Sequence, residues 1–558
     1  MMGPDSTLVA MFLHRVEVSG SQDALWERCD GRFRATTWRQ LADEASRLAV
    51  VLEQWGVAPG DRVVQIAENR REWIVCDQAI LMALGVHVPL HTSLAGHQLV
   101  EQIADSGARV VVVSTTVQLE KLAACRDRLP AGIRFITYEK SPGAPLGKAV
   151  TSWHALREEV KEGQSQGMAQ RALAALSPEM LATILYTSGT TGEPKGVMLT
   201  HGNLTSNVRA VLASFDQHAD DLRLCFLPFS HIFARTCELY TWIAGGSRLA
   251  LSATREAILP DCAEIRPTLI TGVPYFFRRI HQRLLDVGQS QQTGSLQCML
   301  GGRLRACFSG GAALSDADYD FFVSQGIPVY QGYGLTETSP VVSTATPSAV
   351  RRGSVGKPVD SVDVRIDDDG EVLVRGPNVM AGFWQRPEAT RQVIQGGWFH
   401  TGDIGHQDSD GFLFITGRKK DLIVTATGKN IAPAHLENLL CQDPLILQAV
   451  VVGDGRNYLT ALIVPDPQKL RGELISRRIF AFSKKRIVSH PRVVELYAQR
   501  IQQRLACVSQ HEQIRKFTIM DRGFTIESGE MTPKLSLRRS VIMANCSPLI
   551  EAMYRDEK

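Results

Sequence analysis

Residues 186–196 read YTSGTTGEPKG, in which hydroxyl side chains, glycines and a lysine follow one another closely. Glycine lets backbone N–H groups approach an anion, hydroxyls donate hydrogen bonds, and Lys195 supplies positive charge. The apolar stretch 181–185 just before it is typical of a buried strand. The pattern predicts a polyphosphate-binding loop, which differs from a Walker A loop because no Gly-Lys-Ser/Thr follows the spacer. A flexible surface turn is the alternative.

Three later segments carry groups suited to the rest of a nucleotide; they are residues 331–337 (QGYGLTE), 398–403 (WFHTGD) and 417–423 (GRKKDLI). Tyr333 offers an aromatic face, although a tyrosine between glycines also suits a turn. Thr336 can donate to a phosphate oxygen, and Glu337 is a hard oxygen ligand suited to Mg²⁺. Asp403 can accept hydrogen bonds from both hydroxyls of a ribose.

The four segments, in this order and spacing, resemble the motifs of the AMP-forming adenylating enzymes, which include acyl-CoA synthetases, firefly luciferase and peptide-synthetase adenylation domains. The resemblance covers nearly the whole chain. It implies ATP, Mg²⁺ and coenzyme A as ligands, with Thr191 and Glu337 at the metal. It assigns nucleotide binding to Thr187, Ser188, Gly189, Thr190, Thr191, Gly192, Lys195, Gly310, Gly311, Ala312, Gln331, Gly332, Tyr333, Gly334, Asp403 and Arg418.

The resemblance also implies catalytic and conformational roles. It places Thr336 and Glu337 at the reacting phosphates, and His231 beside the acyl carboxylate or as a gate; a hydrogen-bonded core histidine is the alternative for His231. Lys420 matches the hinge about which the family's C-terminal domain rotates between two half-reactions. Gly428 matches the loop that lines the tunnel for the pantetheine arm of coenzyme A.

The C-terminal catalytic lysine of the family has no direct counterpart. In long-chain members it lies in a stretch like Glu-Leu-Thr-Pro-Thr-Leu-Lys, whereas residues 530–539 here read EMTPKLSLRR. An ungapped alignment places Ser536 at the lysine position and Lys534 two residues before it. Because residues two apart face the same side of an extended segment, we predict that Lys534 supplies this charge. A solvated surface lysine is the alternative.

The resemblance implies an acid–thiol ligase that forms an acyl-adenylate and then an acyl-CoA. Residues 69–73 (NRREW), 230–235 (SHIFAR) and 428–433 (GKNIAP) look most like the long-chain fatty acid–CoA ligase branch. Only about twenty residues separate Arg279 from Gly301, where that branch has a longer helical stretch, so the acyl specificity stays open. Two alternatives remain, namely an acyl-AMP ligase that loads a carrier protein and a catalytically weak protein that binds nucleotide or acyl groups.

The elements that position these residues alternate between helices and buried strands. A helix is predicted from Thr37, with Thr37 and Gln40 in capping-box spacing and Gly56 at its end. Residues 63–67 and 109–113 are typical of buried strands, with a helix over 73–84 between them, which favours an α/β fold with parallel pairing.

Short strands divided by Asp/Gly turns predict a small β-rich region over 362–415, and a hairpin is predicted over 450–464. We therefore predict a large N-terminal α/β domain with a small β-rich subdomain over residues 1–417. A small mobile α+β domain follows over residues 418–558.

Composition restricts the class of protein. Lys+Arg at 61 against Asp+Glu at 58 give a net charge of +3, so nothing in the balance favours nucleic acid as a partner. Eleven cysteines are scattered without a CxxC pair, which favours free thiols and a reducing compartment. No apolar run reaches the ~18 residues of a membrane span, so we expect a cytoplasmic protein with room for peripheral membrane contact.

Overall fold

The structure is a computed structural model of the 558-residue chain. It describes residues 6–140, 146, 150–160, 163–188, 193–254, 256–426, 429–479, 483–506, 508–525, 527–531 and 537–555. The predicted site residues Gly189, Thr190, Thr191, Gly192, Gly428 and Lys534 lie outside the described residues, as does Ser536.

The strands are β1 Asp23–Cys29, β2 Arg32–Thr37, β3 Arg62–Ile66, β4 Val86–Leu90, β5 Val110–Val113, β6 Arg134–Thr137, β7 Val150–Ser152, β8 Leu181–Ser188, β9 Pro194–Thr200, β10 Leu222–Cys225, β11 Arg248–Leu251, β12 Leu269–Gly272, β13 Ala306–Ser309, β14 Val329–Gly334, β15 Val341–Thr344, β16 Lys357–Pro358, β17 Asp363–Ile366, β18 Glu371–Arg375, β19 Gly382–Phe383, β20 Ile394–Gln395, β21 Trp398–Gln407, β22 Leu413–Arg418, β23 Ile423–Val424, β24 Asn430–Ile431, β25 Ile446–Val452, β26 Leu459–Pro465 and β27 Ile514–Ile519.

The α-helices are α1 Leu8–Ser19, α2 Trp38–Gln54, α3 Arg71–Met82, α4 Gly96–Ser106, α5 Thr116–Ala123, α6 Trp153–Glu159, α7 Met168–Ala175, α8 His201–Ser214, α9 Ile232–Ala234, α10 Thr241–Gly245, α11 Ile258–Ile265, α12 Pro274–Asp286, α13 Ser295–Met299, α14 Asp316–Ser324, α15 Pro387–Val393, α16 Pro433–Leu440, α17 Pro467–Ser476, α18 Lys484–Val488, α19 Pro491–Arg504, α20 Arg539–Asn545 and α21 Ser547–Tyr554. A π-helical segment, Arg235–Tyr240, joins α9 to α10.

The described chain divides into two compact units. The first comprises Met1–Arg365, Leu373–Thr401 and Gln407–Leu413, and the second comprises Ile366–Val372, Gly402–His406 and Phe414–Lys558. The predicted domain boundary at 417/418 stays a prediction.

Two large sheets form the framework of the first unit. One has the strand order β16-β15-β14-β13-β12-β10-β11-β1-β2, and the other has the order β19-β9-β8-β4-β3-β5-β6-β7. Strands β10 to β14 pair in parallel in the first sheet, as do β8 with β4 and β3 to β7 in the second. The predicted parallel pairing of buried strands is confirmed, and it brings the carboxyl ends of neighbouring strands to one edge.

Local signals give α2 its limits. Thr37 accepts from the Gln40 N–H, and the Gln40 side chain accepts from the Thr37 N–H, so the predicted capping box is present. Past the other end of the helix, Gly56 has a φ of +80°, a conformation that glycine adopts without strain. The apolar face of α2 is buried against α1, α3 and α6, and stacks Trp38 on Trp242 at 4.3 Å.

The second unit contains the sheet β25-β26-β27, with helices α16 and α19 packed on one face through Leu436, Val493, Leu496 and Tyr497. Strands β25 and β26 pair antiparallel, which confirms the predicted hairpin. The short predicted strands over 362–415 are β17, β18 and β22 of a further small sheet. Among the described residues of both units, no helix is long and apolar enough to cross a membrane.

The lowered pKa values of two buried histidines determine how the free energy of unfolding depends on pH. Burial lowers the pKa of His87 and of His201 from 6.5 to about 4. Between these values the unfolded chain binds protons that the folded protein excludes, so the free energy of unfolding falls as the pH falls from 6.5 towards 4. Each histidine contributes about 1.4 kcal/mol per pH unit within this range.

Denaturant titrations at several pH values check this prediction. His201 Nδ1 accepts from the Leu8 N–H at 3.3 Å, and the side-chain oxygen of asparagine can replace that acceptor. We expect His201→Asn to reduce the pH slope by about one proton. Equal slopes in wild type and His201→Asn would contradict the assignment.

Candidate active site

The predicted phosphate loop begins and ends on an antiparallel hairpin. Strand β8 carries Thr187 and Ser188, strand β9 carries Lys195, and Thr187 pairs directly with Lys195. The lysine ammonium lies 5.2 Å from the centre of the Phe383 ring. Residues 189–192 of the loop lie outside the described residues. The structure therefore describes the two paired strands on either side of the loop, and Lys195 on the second of them.

The turn that carries Thr336 and Glu337 is held through its backbone. Thr338 Oγ1 donates to the Pro340 carbonyl at 2.6 Å and accepts from the Leu335 N–H at 3.0 Å. Asn378 Nδ2 donates to the Thr338 carbonyl at 3.0 Å. The Met380 N–H donates to the Glu337 carbonyl at 2.8 Å. These bonds fix the main chain of the turn, which limits the motion of Glu337 to its side chain.

The segments predicted to surround adenine follow two neighbouring parallel strands. Ser309, the last residue of β13, pairs with Gln331 of β14, so residues 310–312 and 332–334 lie at the same sheet edge. Gln331 is buried, and Tyr333 is half-buried. A Cβ on Gly334 would lie 1.7 Å from the Pro340 carbonyl oxygen, so this position accepts only glycine.

Small residues also bring Gly310 against the segment that carries His231. A Cβ on Gly310 would lie 2.8 Å from Cζ of Phe233, which packs directly on this glycine. Gly311 has a φ of +81°, and Ala312 is exposed. The close contact with Phe233 explains the glycine at 310, and the positive φ explains the glycine at 311. Neither explanation depends on a bound base.

His231 is the N-cap residue of α9 and contacts a second histidine. The rings of His91 and His231 are 4.4 Å apart, and Ser230 Oγ lies 2.7 Å from His91 Nδ1. His91 was not predicted from the sequence. The available signal was its position directly after β4, the parallel neighbour of the strand β8 that leads into the phosphate loop.

Asp403 and Arg418 lie together in the second unit. Asp403 is buried, and Arg418 Nε lies 2.8 Å from Asp403 Oδ1. The next residue, Lys419, bonds to Glu371 at 2.9 Å and to Asp369 at 2.5 Å, and these bonds raise the pKa of the Lys419 ammonium. Glu371, which sequence analysis missed, also accepts from the Gly402 N–H at 2.8 Å.

Lys420 and the residues that flank the segment of Lys534 complete the predicted set. Lys420 is exposed in the short 3₁₀ turn Lys419–Asp421. Met531 and Leu537 form an antiparallel bridge on either side of the segment that contains Lys534. Next to this bridge, Arg522 binds the buried Glu530 through two bonds of 2.6 and 2.7 Å.

The donors that are described fit a magnesium nucleotide. Among the described residues, no group of three or more His, Cys, Asp or Glu side chains is suited to hold a metal alone. Mg²⁺ in nucleotide enzymes is bound by one or two carboxylates together with substrate phosphates, so a single carboxylate such as Glu337 on a rigid turn suits it. The assignment of Glu337 and of the other site residues stays a prediction.

The fold matches those of solved structures along nearly the whole chain. It matches the anthranilate CoA ligase AuaEII in complex with anthranoyl-AMP with a TM-score of 0.79 at 21% identity, covering 99% of each chain. It matches ATP-bound MatB from Rhodopseudomonas palustris with a TM-score of 0.77 at 24% identity, covering 98% and 99% of the two chains. Similarity at these identities concerns the fold alone, and it confirms the predicted fold class.

Residues 12–384 match the family described as AMP-binding enzyme, and residues 420–558 match the AMP-binding enzyme C-terminal domain. The chain therefore belongs to the AMP-binding enzyme family, which confirms the resemblance found in the sequence. It is 34% identical to the long-chain-fatty-acid–CoA ligase FadD15 of Mycobacterium bovis over 95% of this chain and 94% of that protein. It is 29% identical to the peroxisomal long chain acyl-CoA synthetase 7 of Arabidopsis thaliana over 99% of this chain and 86% of that protein.

Proposed function

We propose that the protein is an ATP-dependent fatty acid–CoA ligase that forms AMP and acts on long-chain acids. The observation that carries the proposal is the 34% identity, over 95% of the chain, to a protein named as a long-chain-fatty-acid–CoA ligase. The arrangement of the first unit supports it, since the predicted adenine segments and the Thr336–Glu337 turn adjoin one another at one end of β13 and β14.

In the first half-reaction a carboxylate oxygen of the fatty acid attacks the α-phosphorus of ATP. The bond from that phosphorus to the bridging oxygen breaks, and pyrophosphate leaves. Lys195 and Thr336 bind phosphate oxygens, and Lys534 bridges the carboxylate and the α-phosphate, so that positive groups meet the charge of the transition state. Mg²⁺, held by Glu337 and Thr191, supplies further neutralisation of phosphate charge when it is bound.

In the second half-reaction the sulfur of coenzyme A attacks the acyl carbon of the adenylate. The bond from that carbon to the phosphate oxygen breaks, AMP leaves, and the thiol proton passes to solvent. Asp403 accepts from the ribose hydroxyls, and Arg418 assists it, as its 2.8 Å bond to Asp403 allows. Lys420 serves as the hinge, and Gly428 lines the path of the pantetheine arm.

Product analysis with two acceptors tests the proposal against its alternatives. The purified protein is incubated with ATP, Mg²⁺ and palmitate, and either coenzyme A or a phosphopantetheinylated acyl carrier protein. We expect palmitoyl-CoA and AMP in equal amounts. Transfer to the carrier protein alone would establish the acyl-AMP ligase instead. Binding of ATP and palmitate without any AMP would establish the weak binding protein.

A further inference from the structure

A group of charged and polar side chains is fully buried in the first unit. We call it the Arg235 cluster; its members are Asp77 on α3, His87 on β4, Thr183 on β8, and Arg235 and Tyr240 on the π-helical segment, each with 0% exposure. None of these residues belongs to the predicted nucleotide-binding set.

The guanidinium of Arg235 joins the cluster together. Its Nη2 lies 2.5 Å from Asp77 Oδ1, its Nε donates to Tyr240 Oη at 2.8 Å, and its Nη1 donates to Thr183 Oγ1 at 2.7 Å. Asp77 Oδ1 also lies 2.7 Å from His87 Nδ1. A buried ion pair is a poor source of stability, because well-packed apolar side chains of similar volume often stabilise as much. Stability alone therefore does not explain why charged side chains are buried here.

The segment that carries Arg235 contacts the candidate site at several points. The Arg235 N–H donates to the His231 carbonyl at 2.9 Å, so the arginine is one helical turn beyond the histidine. Thr236 Oγ1 donates to the Ser339 carbonyl at 2.8 Å, next to the Thr336–Glu337 turn. Phe233, two residues before Arg235 in the chain, packs on Gly310. A shift of this segment would move the predicted carboxylate, adenine and metal groups together.

The bond to Thr183 connects this segment to β8, the strand that precedes the predicted phosphate loop. Thr183 lies on β8 four residues before Thr187, about 13 Å along the strand. Thr183 Oγ1 donates in turn to the His87 carbonyl at 2.6 Å, which fixes its direction. The hydrogen bond from Arg235 spans 52 residues of sequence, whereas the bond to Tyr240 spans five and stays within the segment.

We propose that Arg235 is a positioning residue for adenylation, which sets the His231 segment in register through Thr183 with the β8 strand that carries Thr187. The proposal rests on the fatty acid–CoA ligase function. Arg235 is fully buried and acts through the position of its neighbours. Small displacements of reacting groups reduce rates by up to ~10²-fold, so loss of the link should lower the rate of adenylation while the protein stays folded.

Two hydroxyl deletions separate positioning from stabilisation. Thr183→Val removes the bond from Arg235 to β8, together with the bond from Thr183 Oγ1 to the His87 carbonyl, with little change in shape. Tyr240→Phe removes the bond from Arg235 within the segment, together with the bonds from Tyr240 Oη to Asp77 at 3.2 and 3.3 Å, and leaves β8 untouched. Both hydroxyls are buried, both accept from the same guanidinium and each also donates to another member of the cluster, so a purely structural role makes the two variants alike. The measurements are thermal unfolding and the initial rate of palmitate-dependent pyrophosphate release, with kcat and KM for ATP and palmitate.

We expect Thr183→Val to lower kcat for pyrophosphate release by ~10-fold or more and Tyr240→Phe to stay within about twofold, at similar thermal stability. Arg235→Gln combined with Asp77→Asn, which removes both charges of the pair and keeps polar side chains, should show the same loss of kcat. Equal effects of the two hydroxyl deletions, or an unchanged kcat in Thr183→Val, would overturn the proposal. Absence of pyrophosphate release in the wild type would instead remove the proposed function, and the role of Arg235 with it.

Discussion

Replacement of Glu337 by glutamine is expected to lower fatty-acid-dependent pyrophosphate release by ~10²–10³-fold, the size of the effect when one charge-stabilising group is lost from an active site. Glutamine keeps the shape of glutamate but removes the negative charge that suits Mg²⁺. The Met380 N–H still holds the Glu337 carbonyl, and Asn378 still holds Thr338, so the change is confined to the side chain. The rate should also require a higher Mg²⁺ concentration.

The matched control is Glu388→Gln, which makes the same chemical change on an exposed glutamate of α15. We expect this variant to release pyrophosphate at the wild-type rate with the wild-type Mg²⁺ dependence. If Glu337→Gln kept its rate within about threefold and its Mg²⁺ dependence unchanged, Glu337 would have no role at the metal, since loss of an essential charge costs far more.

The second large effect concerns the displaced lysine of the C-terminal unit. We expect Lys534→Ala to lower acyl-adenylate formation by ~10²–10³-fold, because the charge that bridges the carboxylate and the α-phosphate is lost. Ser536→Ala, at the position where the family has its lysine, should leave the rate unchanged. The two variants compare the two candidate positions for the catalytic charge, which lie two residues apart in the chain.

Separate assays of the two half-reactions sharpen this comparison. With synthetic palmitoyl-AMP supplied, transfer to coenzyme A should proceed at the wild-type rate in Lys534→Ala, because the lysine acts in the first step. Restoration by Lys534→Arg would support a role for the charge. A large loss in Ser536→Ala, with Lys534→Ala unaffected, would show that the lysine has no part in adenylation.

The parts of the fold that the sequence predicted are those with local signals. The capping box at Thr37, the buried run 110–113 and the hairpin of β25 and β26 depend on residues close together in the chain, and each is present. Parallel pairing also followed, because strands buried on both faces are apolar throughout. The order of the strands within each sheet was not predicted, since it depends on which distant strands meet.

In the candidate site, too, local motifs were predicted and contacts between residues distant in the sequence were not. Motifs of consecutive residues identified the loop around Lys195 and the turn of Glu337, whose roles stay predictions. Contacts between distant residues were missed: His91 meets Ser230 across 139 residues, and Asp77 meets Arg235 across 158. The sequence around a histidine or an aspartate in an apolar stretch does not identify the distant residue that it contacts. These contacts are therefore found only in the folded structure.

Pyrophosphate release by the wild-type protein with ATP and Mg²⁺ tests the fatty acid–CoA ligase function most directly. It is compared across acetate, octanoate, laurate, palmitate and stearate, each with and without coenzyme A. We expect release that requires a fatty acid, that is largest with laurate to stearate, and that yields a thioester only when coenzyme A is present. No release with any acid, in a protein that binds ATP, would contradict that function.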